Sequence, residues 1–384
     1  MEFFIRQAPD YFAGPLAIAV QWQLRRWIVA ALPLPWKNRV NLLLWIATVW
    51  VAVSFVSGLP RIAEWIPYSP FLDWLRGLAL MVSLVSLCAA GIEFAWRLLH
   101  RAAPAMDPGR RTLLKAVKST AIAVPILAVA RGAIFERKQI RLVEVDAEIP
   151  GLPEDLNGLK LVQLSDIHFG SFFPAEDLLR AIEMANETKA HIALVTGDLI
   201  NLRKDPLDQC MSLLTRLRSD AGTFGCLGNH EVFAKCEHYT TVQGARLGMR
   251  FLRDEAVELK FGNTALRMVG VDYQRKRNPY LQKEKCRPEP GKINILLSHN
   301  PDVFPVAAAQ GYDLTISGHT HGGQITFEIL PDALNPAQFY TPYIYGKYVT
   351  DGRQVYVSRG LGTVGMPVRA GCPPEVSLIR LCAT

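Results

Sequence analysis

Five short apolar runs in the last two thirds of the chain each stop at a residue able to bind a metal ion. Residues 161–165 stop at Asp166, 192–196 at Gly197-Asp198, and 223–227 at Gly228-Asn229-His230. Residues 293–298 stop at His299, and 314–317 at Gly318-His319-Thr320-His321. Runs of this length, uncharged and rich in Val, Ile and Leu, read as strands buried on both faces. Apolar residues at helical spacing over 175–186 and 207–218 supply crossovers between the first of them. An open sheet built of such units places its sites at the carboxyl ends of its strands, where these residues fall. Residues 249–271 read as further strands, as do 345–350 and 354–358, which an Asp351-Gly352 turn joins. Two sheets packed together and flanked by helices fit this order.

The strand ends offer Asp166, His168, Asp198, Asn229, His299, His319 and His321, with His230 beside Asn229. Carboxylate, amide and imidazole ligands without a thiolate suit two borderline divalent ions, Mn2+, Fe2+/Fe3+ or Zn2+, rather than a structural zinc. A carboxylate can bridge two ions about 3.5–4 Å apart, the separation used in phosphoryl displacement. Two such ions would lower the pKa of a shared water toward about 7, so no protein base is needed. His230 would then be free to protonate the leaving oxygen.

The motifs SDIHFG, TGDLI, GNHE, LLSHNP and GHTHGGQ resemble those of the calcineurin-like metallophosphoesterase superfamily, in its order. The tail SRGLGTVGMPVRAGCPPEVSLIRL resembles the bacterial membrane-associated YkuE/YaeI-like phosphodiesterase branch. The resemblance covers residues 140–384 and implies an α/β fold, a four-layer α-β-β-α sandwich. Position by position it implies that Asp166, His168 and His321 hold one metal, that Asn229, His299 and His319 hold the other, and that Asp198 bridges. His230 would be the catalytic acid. Glu231 departs from the pattern, since many members carry Asp there, and its supporting hydrogen bond has to span one more methylene.

Residues 40–60 are free of charge, between Arg39 and Arg61, and at about 1.5 Å per helical residue they cover the roughly 30 Å core of a bilayer. Residues 77–96 are apolar apart from Glu93, which reads as interfacial. Two spanning helices follow, in a membrane region over 1–139 that precedes a phosphoesterase domain over 140–384. The basic, aromatic stretch before residue 39 reads as an interfacial amphipathic segment. Lys and Arg crowd both outer flanks of the pair, so both flanks are expected in the cytoplasm. A third apolar segment, about 119–135, follows Gly109-Arg110-Arg111-Thr112-Leu113-Leu114-Lys115, which resembles the twin-arginine export motif. It reads either as a crossing or as a basic linker with a short helix; a crossing places the catalytic domain outside the cytoplasm of a bacterial inner membrane.

The formal charge of +7 divides into +9 over residues 1–139 and −2 over 140–384. The basic total therefore reports on the membrane region, and no nucleic acid partner is expected. Six cysteines scattered after residue 200 show neither a disulfide framework nor a zinc knuckle. His191 and His238 read as satisfied or exposed, Asp272 as closing a turn or meeting substrate. Arg275, Lys276, Arg277, Lys283, Lys285 and Arg287 form a basic loop. The expected activity is that of a membrane-anchored, dinuclear metal-dependent phosphoesterase, foremost a phosphodiesterase, on a substrate that is lipid-linked or near the bilayer. The alternatives are a pyrophosphatase acting on a nucleotide-linked lipid precursor and a non-catalytic membrane receptor or scaffold.

Overall fold

A computed structural model describes the chain apart from residues 1, 60, 61, 63, 64, 103–107, 276–279 and 327–334. Arg61, Glu64, Lys276 and Arg277 therefore lie outside the described residues. Contacts divide the chain into two units, Met1–Arg131 with Gly365–Pro367, and Gly132–Val364 with Val368–Thr384.

The first unit holds α1 (Glu2–Ala31), α2 (Leu34–Gly58), α3 (Pro70–Ala102) and most of α4 (Pro108–Ile134). Among the described residues, three stretches are long and apolar enough to cross a membrane: Leu34–Gly58, Pro70–Leu99 and Thr112–Lys138. The sequence gives two such spans because the charge-free part of the third is short. The helix continues through the charges on either side, and Pro125 sits within it without ending it. The basic, aromatic segment before residue 39 contains a 30-residue helix, α1, which packs on α2 and α3. Ala17 of α1 shares a small core with Val51 of α2 and Ala79 of α3. Gln21 donates to Ser86 Oγ (2.7 Å) and Arg25 to Asn41 Oδ1 (2.6 Å). The arginines that made α1 look interfacial are held by aromatic faces: Arg25 lies 4.5 Å from the Trp45 ring and Arg26 4.7 Å from Trp22. Arg97 of α3 lies 4.7 Å from Trp27, so α1 and α3 run parallel and bring their basic ends together. Glu93 pairs with both Arg97 and Lys118.

The second unit has two six-stranded sheets. β1 (Arg141–Ile149), β2 (Lys160–Leu164), β3 (Ile192–Thr196), β4 (Thr223–Cys226) and β5 (Met249–Phe251) alternate with α5 (Ala175–Glu187), α6 (Leu207–Leu214), α7 (Asn229–Ala234) and α8 (Glu237–Arg246). β6 (Glu255–Phe261), β7 (Thr264–Gly270), β8 (Ile293–Leu297), α9 (Phe304–Gln310), β9 (Leu314–Ser317), β10 (Gly346–Thr350), β11 (Arg353–Val357) and β12 (Glu375–Ala383) follow. The first sheet runs β1-β12-β2-β3-β4-β5 and the second β10-β11-β9-β8-β7-β6. β2 to β5 are parallel neighbours, as are β7, β8, β9 and β11.

Pleat alternation divides each strand between two cores. Ile192 and Leu194 of β3 face the inter-sheet core with Leu161, Ile293, Ile295, Leu297, Leu314 and Ile316. Ala193 and Val195 face outward to Leu178, Ile182 and Met211 of α5 and α6. On the far side, Leu296 packs with Val303 and Ala307 beneath α9. The layers are therefore helix, sheet, sheet, helix, and both sheets point the ends of their parallel strands at one rim.

Candidate metal centre

At that rim the chain reverses direction immediately after each strand, and the reversals are sharp. Asp166, His168, Asp198, His319 and His321 all have φ between 45° and 77°, the left-handed region that side chains other than glycine seldom adopt. Each such residue costs about 1–2 kcal/mol relative to ordinary backbone. Strain concentrated on five histidines and aspartates at one rim marks a functional site. Gly228 is required by close approach, because a Cβ there would collide with Asp198 Oδ1.

The structure brings Asp166, His168, Asp198, His299, His319 and His321 together, with His230 beside His168 and Asp198. Asp166, His168 and His321 form one group, and Asp198, His299 and His319 another; within each group, ligand atoms lie within 4.8 Å of one another. His168 Nε2 and His321 Nε2 are 3.0 Å apart, and His321 Nε2 is 3.4 Å from Asp166 Oδ1. Asp198 Oδ2 faces both groups, 3.0 Å from His299 Nε2 and 3.7 Å from His168 Nε2. Its other oxygen, Oδ1, accepts from the His230 N–H (2.8 Å).

The donor set fits metal ions. Asn229 Oδ1 is buried without a hydrogen-bond partner, as an oxygen meant for a cation would be. His299 Nδ1 donates to the Thr196 carbonyl (2.7 Å), which leaves the Nε2 lone pair directed into the site. Burial opposes charge on His299, yet the Asp198 and Asp166 carboxylates outweigh it and raise its pKa to about 10. Burial and the charge of His299 together lower His319 to about 3, and burial holds His168 and His321 well below the usual imidazole value. His168, His319 and His321 are thus neutral imidazoles, the state in which histidine binds a metal ion.

Glu231 spans its extra methylene without loss. Fully buried, it accepts from the N–H groups of Gly228 (2.7 Å), Asp198 (2.9 Å) and Leu199 (2.7 Å), tying α7 to the end of β3. His230 is half-buried, donates from Nδ1 to the Asn201 carbonyl (2.8 Å), and sets its ring edge-on to His168 with centroids 4.7 Å apart.

The other sequence candidates fall elsewhere. His191 accepts from the Lys160 N–H (2.9 Å), and His238 is exposed. Asp272 is held by both arms of Arg253 (2.7 and 2.9 Å), and the next residue reaches the site: the Tyr273 ring lies 5.7 Å from His319 and 6.2 Å from His299. Lys283 of the basic loop pairs with Asp254. All seven cysteines are free thiols. Sequence reasoning missed Ser165, which donates to Asp166 Oδ2 (2.6 Å), and Arg369, which contacts His321. Ser165 lies inside the first motif, and Arg369 in the Gly- and Pro-rich tail, but neither residue type signals a ligand.

The domain is a two-sheet sandwich flanked by helices, with clusters of His and Asp at one rim. The family model for calcineurin-like phosphoesterases matches residues 159–323. A metallophosphoesterase of Campylobacter jejuni is 31% identical over 62% of this chain, and the match spans 62% of its own length. YkuE of Bacillus subtilis, another metallophosphoesterase, is 30% identical over 61% of this chain and 82% of its own. A protein of Escherichia coli named phosphodiesterase YaeI is 28% identical over 58% of this chain and 82% of its own. The chain belongs to the calcineurin-like metallophosphoesterase family, whose members hydrolyse phosphoric esters.

Proposed function

We propose that this protein is a membrane-anchored phosphodiesterase with a dinuclear metal centre. Asp166, His168 and His321 would hold one divalent ion, Asn229, His299 and His319 the other, and Asp198 Oδ2 would be shared. Bound there, the ions would supply Lewis-acid activation of water and offset the negative charge of the phosphate. The sharing of Asp198 between two ligand groups, with the His230 ring against one of them, carries this reading. With Nδ1–H committed to Asn201, His230 Nε2 is the atom left to deliver a proton to the leaving oxygen.

Diester rather than monoester substrates are favoured by the likeness to a protein named phosphodiesterase. The leaving-group side is apolar at its edge: Phe233, 5.4 Å from the His230 ring, and Leu202, next to Asn201, are each 53% exposed. Two such side chains beside the acid suit an apolar, lipid-linked leaving group. His230→Ala is expected to lower turnover of a chromogenic diester with Mn2+ by about 10²–10⁴-fold while leaving metal content at two ions per chain. Equal rates in both proteins would refute the acid role.

The protein would reside in a bacterial inner membrane. The basic ends of α1 and α3 adjoin and, with the starts of α2 and α4, would lie on the cytoplasmic side. A crossing by α4 then carries the catalytic domain to the other side. A C-terminal alkaline phosphatase fusion should be active and a C-terminal green fluorescent fusion dark; the reverse pattern would sink the topology.

A further inference from the structure

Arg369 is fully buried, and the chemistry proposed above leaves it without a role. All five of its N–H groups are used. Nε donates to the Gly362 carbonyl (3.0 Å), which also accepts from Nη2. Nη1 donates to the carbonyls of Arg359 (2.7 Å) and His321 (3.0 Å), and Nη2 to His321 Nδ1 (3.2 Å). The grip on the His321 carbonyl fixes the backbone from which that ring projects, with Nε2 3.4 Å from Asp166 Oδ1 and 3.0 Å from His168 Nε2.

The carbonyls that Arg369 grips belong to a segment laid directly on the other two members of that group. Leu361 N–H donates to the Ser165 carbonyl (3.0 Å) and Gly362 N–H to the Asp166 carbonyl (2.7 Å). The fit leaves no space for a side chain, since a Cβ on Gly362 would lie 2.7 Å from His168 Cβ. Cys372 Sγ adds a contact to the His321 carbonyl (3.2 Å). The second group is braced by different parts: the Glu231 carboxylate on Asp198, and the Thr196 carbonyl on His299.

We propose that Arg369 is a positioning residue for the metal position formed by Asp166, His168 and His321, and that the position formed by Asn229, His299 and His319 fills independently of it. The inference rests on the two-metal reading above. A lysine at this position keeps the charge but cannot grip the carbonyls of Gly362, Arg359 and His321 in the same way, because its three donors radiate from one atom whereas the guanidinium spreads five over a plane. Disturbing a partner of a metal-ligating histidine typically costs about 10–100-fold in affinity.

The test uses the full-length protein in detergent, with Mn2+ as the probe. Arg369→Lys is expected to weaken one of the two Mn2+ equilibria by about 10–100-fold and leave the other unchanged. At limiting Mn2+ its electron paramagnetic resonance should show the hyperfine pattern of an isolated ion in place of an exchange-coupled pair. Two ions bound as in the wild type would overturn the proposal, and so would loss of both together. Should the variant not fold, hydrogen exchange on the wild type decides: residues 359–362 and 369–372 should gain protection when Mn2+ is added, and unchanged exchange there would overturn the proposal. A wild type that binds fewer than two ions would overturn the two-metal reading itself, a result visible without any variant.

Discussion

Asp198→Ala is expected to strip both ions from the chain and to lower diester turnover by about a thousandfold or more, equivalent to about 4 kcal/mol of barrier. The size of the effect follows from how many tasks the side chain holds. Oδ2 lies 3.0 Å from His299 Nε2 in one group and 3.7 Å from His168 Nε2 in the other, and it is buried, so no water can replace it at low cost. Oδ1 accepts the His230 N–H at the start of α7, so its loss also loosens the helix that carries Asn229 and the proposed acid. Asp198→Asn separates these tasks. The amide can still accept from His230 but lacks the negative charge, so this variant should keep its fold and still lose metal. Mass-spectrometric metal analysis that found two ions per chain in either variant would refute the shared role.

How much of this could be read from the sequence depended on whether the signal was local. Asp166, Asp198, Asn229, His299, His319 and His321 each follow a buried strand directly, so strand pattern and ligand type coincide within a few residues. The layering was legible for the same reason, because parallel strands buried on both faces leave continuous apolar runs. Three features were not local. β12 inserts between β1 and β2, pairing residues 375–383 with 141–149, and no short-range pattern announces that partnership. Arg369 acts on a histidine 48 positions earlier, and an arginine in a Gly- and Pro-rich tail reads as exposed loop. In α1 the arginines read as interfacial because their aromatic partners, Trp45 among them, are apparent only once the helices pack. Glu231 lies between these cases: its position after His230 was visible, but its three N–H donors come from two separate turns.

The protein stripped of metal by a chelator is expected to be most stable near pH 6.5, with the loaded protein behaving differently on each side. Below that value, histidines of the unfolded chain take up protons, whereas His319, held at about 3 by burial and by the charge of His299, does not. The unfolded state then binds more protons, so stability falls as pH falls, by roughly 1.4 kcal/mol per pH unit for each such ring. His319 alone contributes a loss of about 2 kcal/mol by pH 5. His168 and His321, also depressed by burial, act in the same direction. Asp166 and Glu231 have raised values, chiefly through burial, and oppose the loss. Above pH 6.5 the sign reverses. His299 keeps its proton to about 10 because Asp198 and Asp166 outweigh the cost of burial, so its stabilisation is complete below 6.5 and is lost as pH rises through 10. A bound ion takes the place of that proton. Melting temperatures measured in chelator should therefore decline from pH 6.5 to 9, whereas those in Mn2+ should hold. Acid should lower both, the loaded form more steeply as protons displace the ions. A chelated protein that gained stability between pH 7 and 9 would rule out a protonated His299 as the stand-in for the metal.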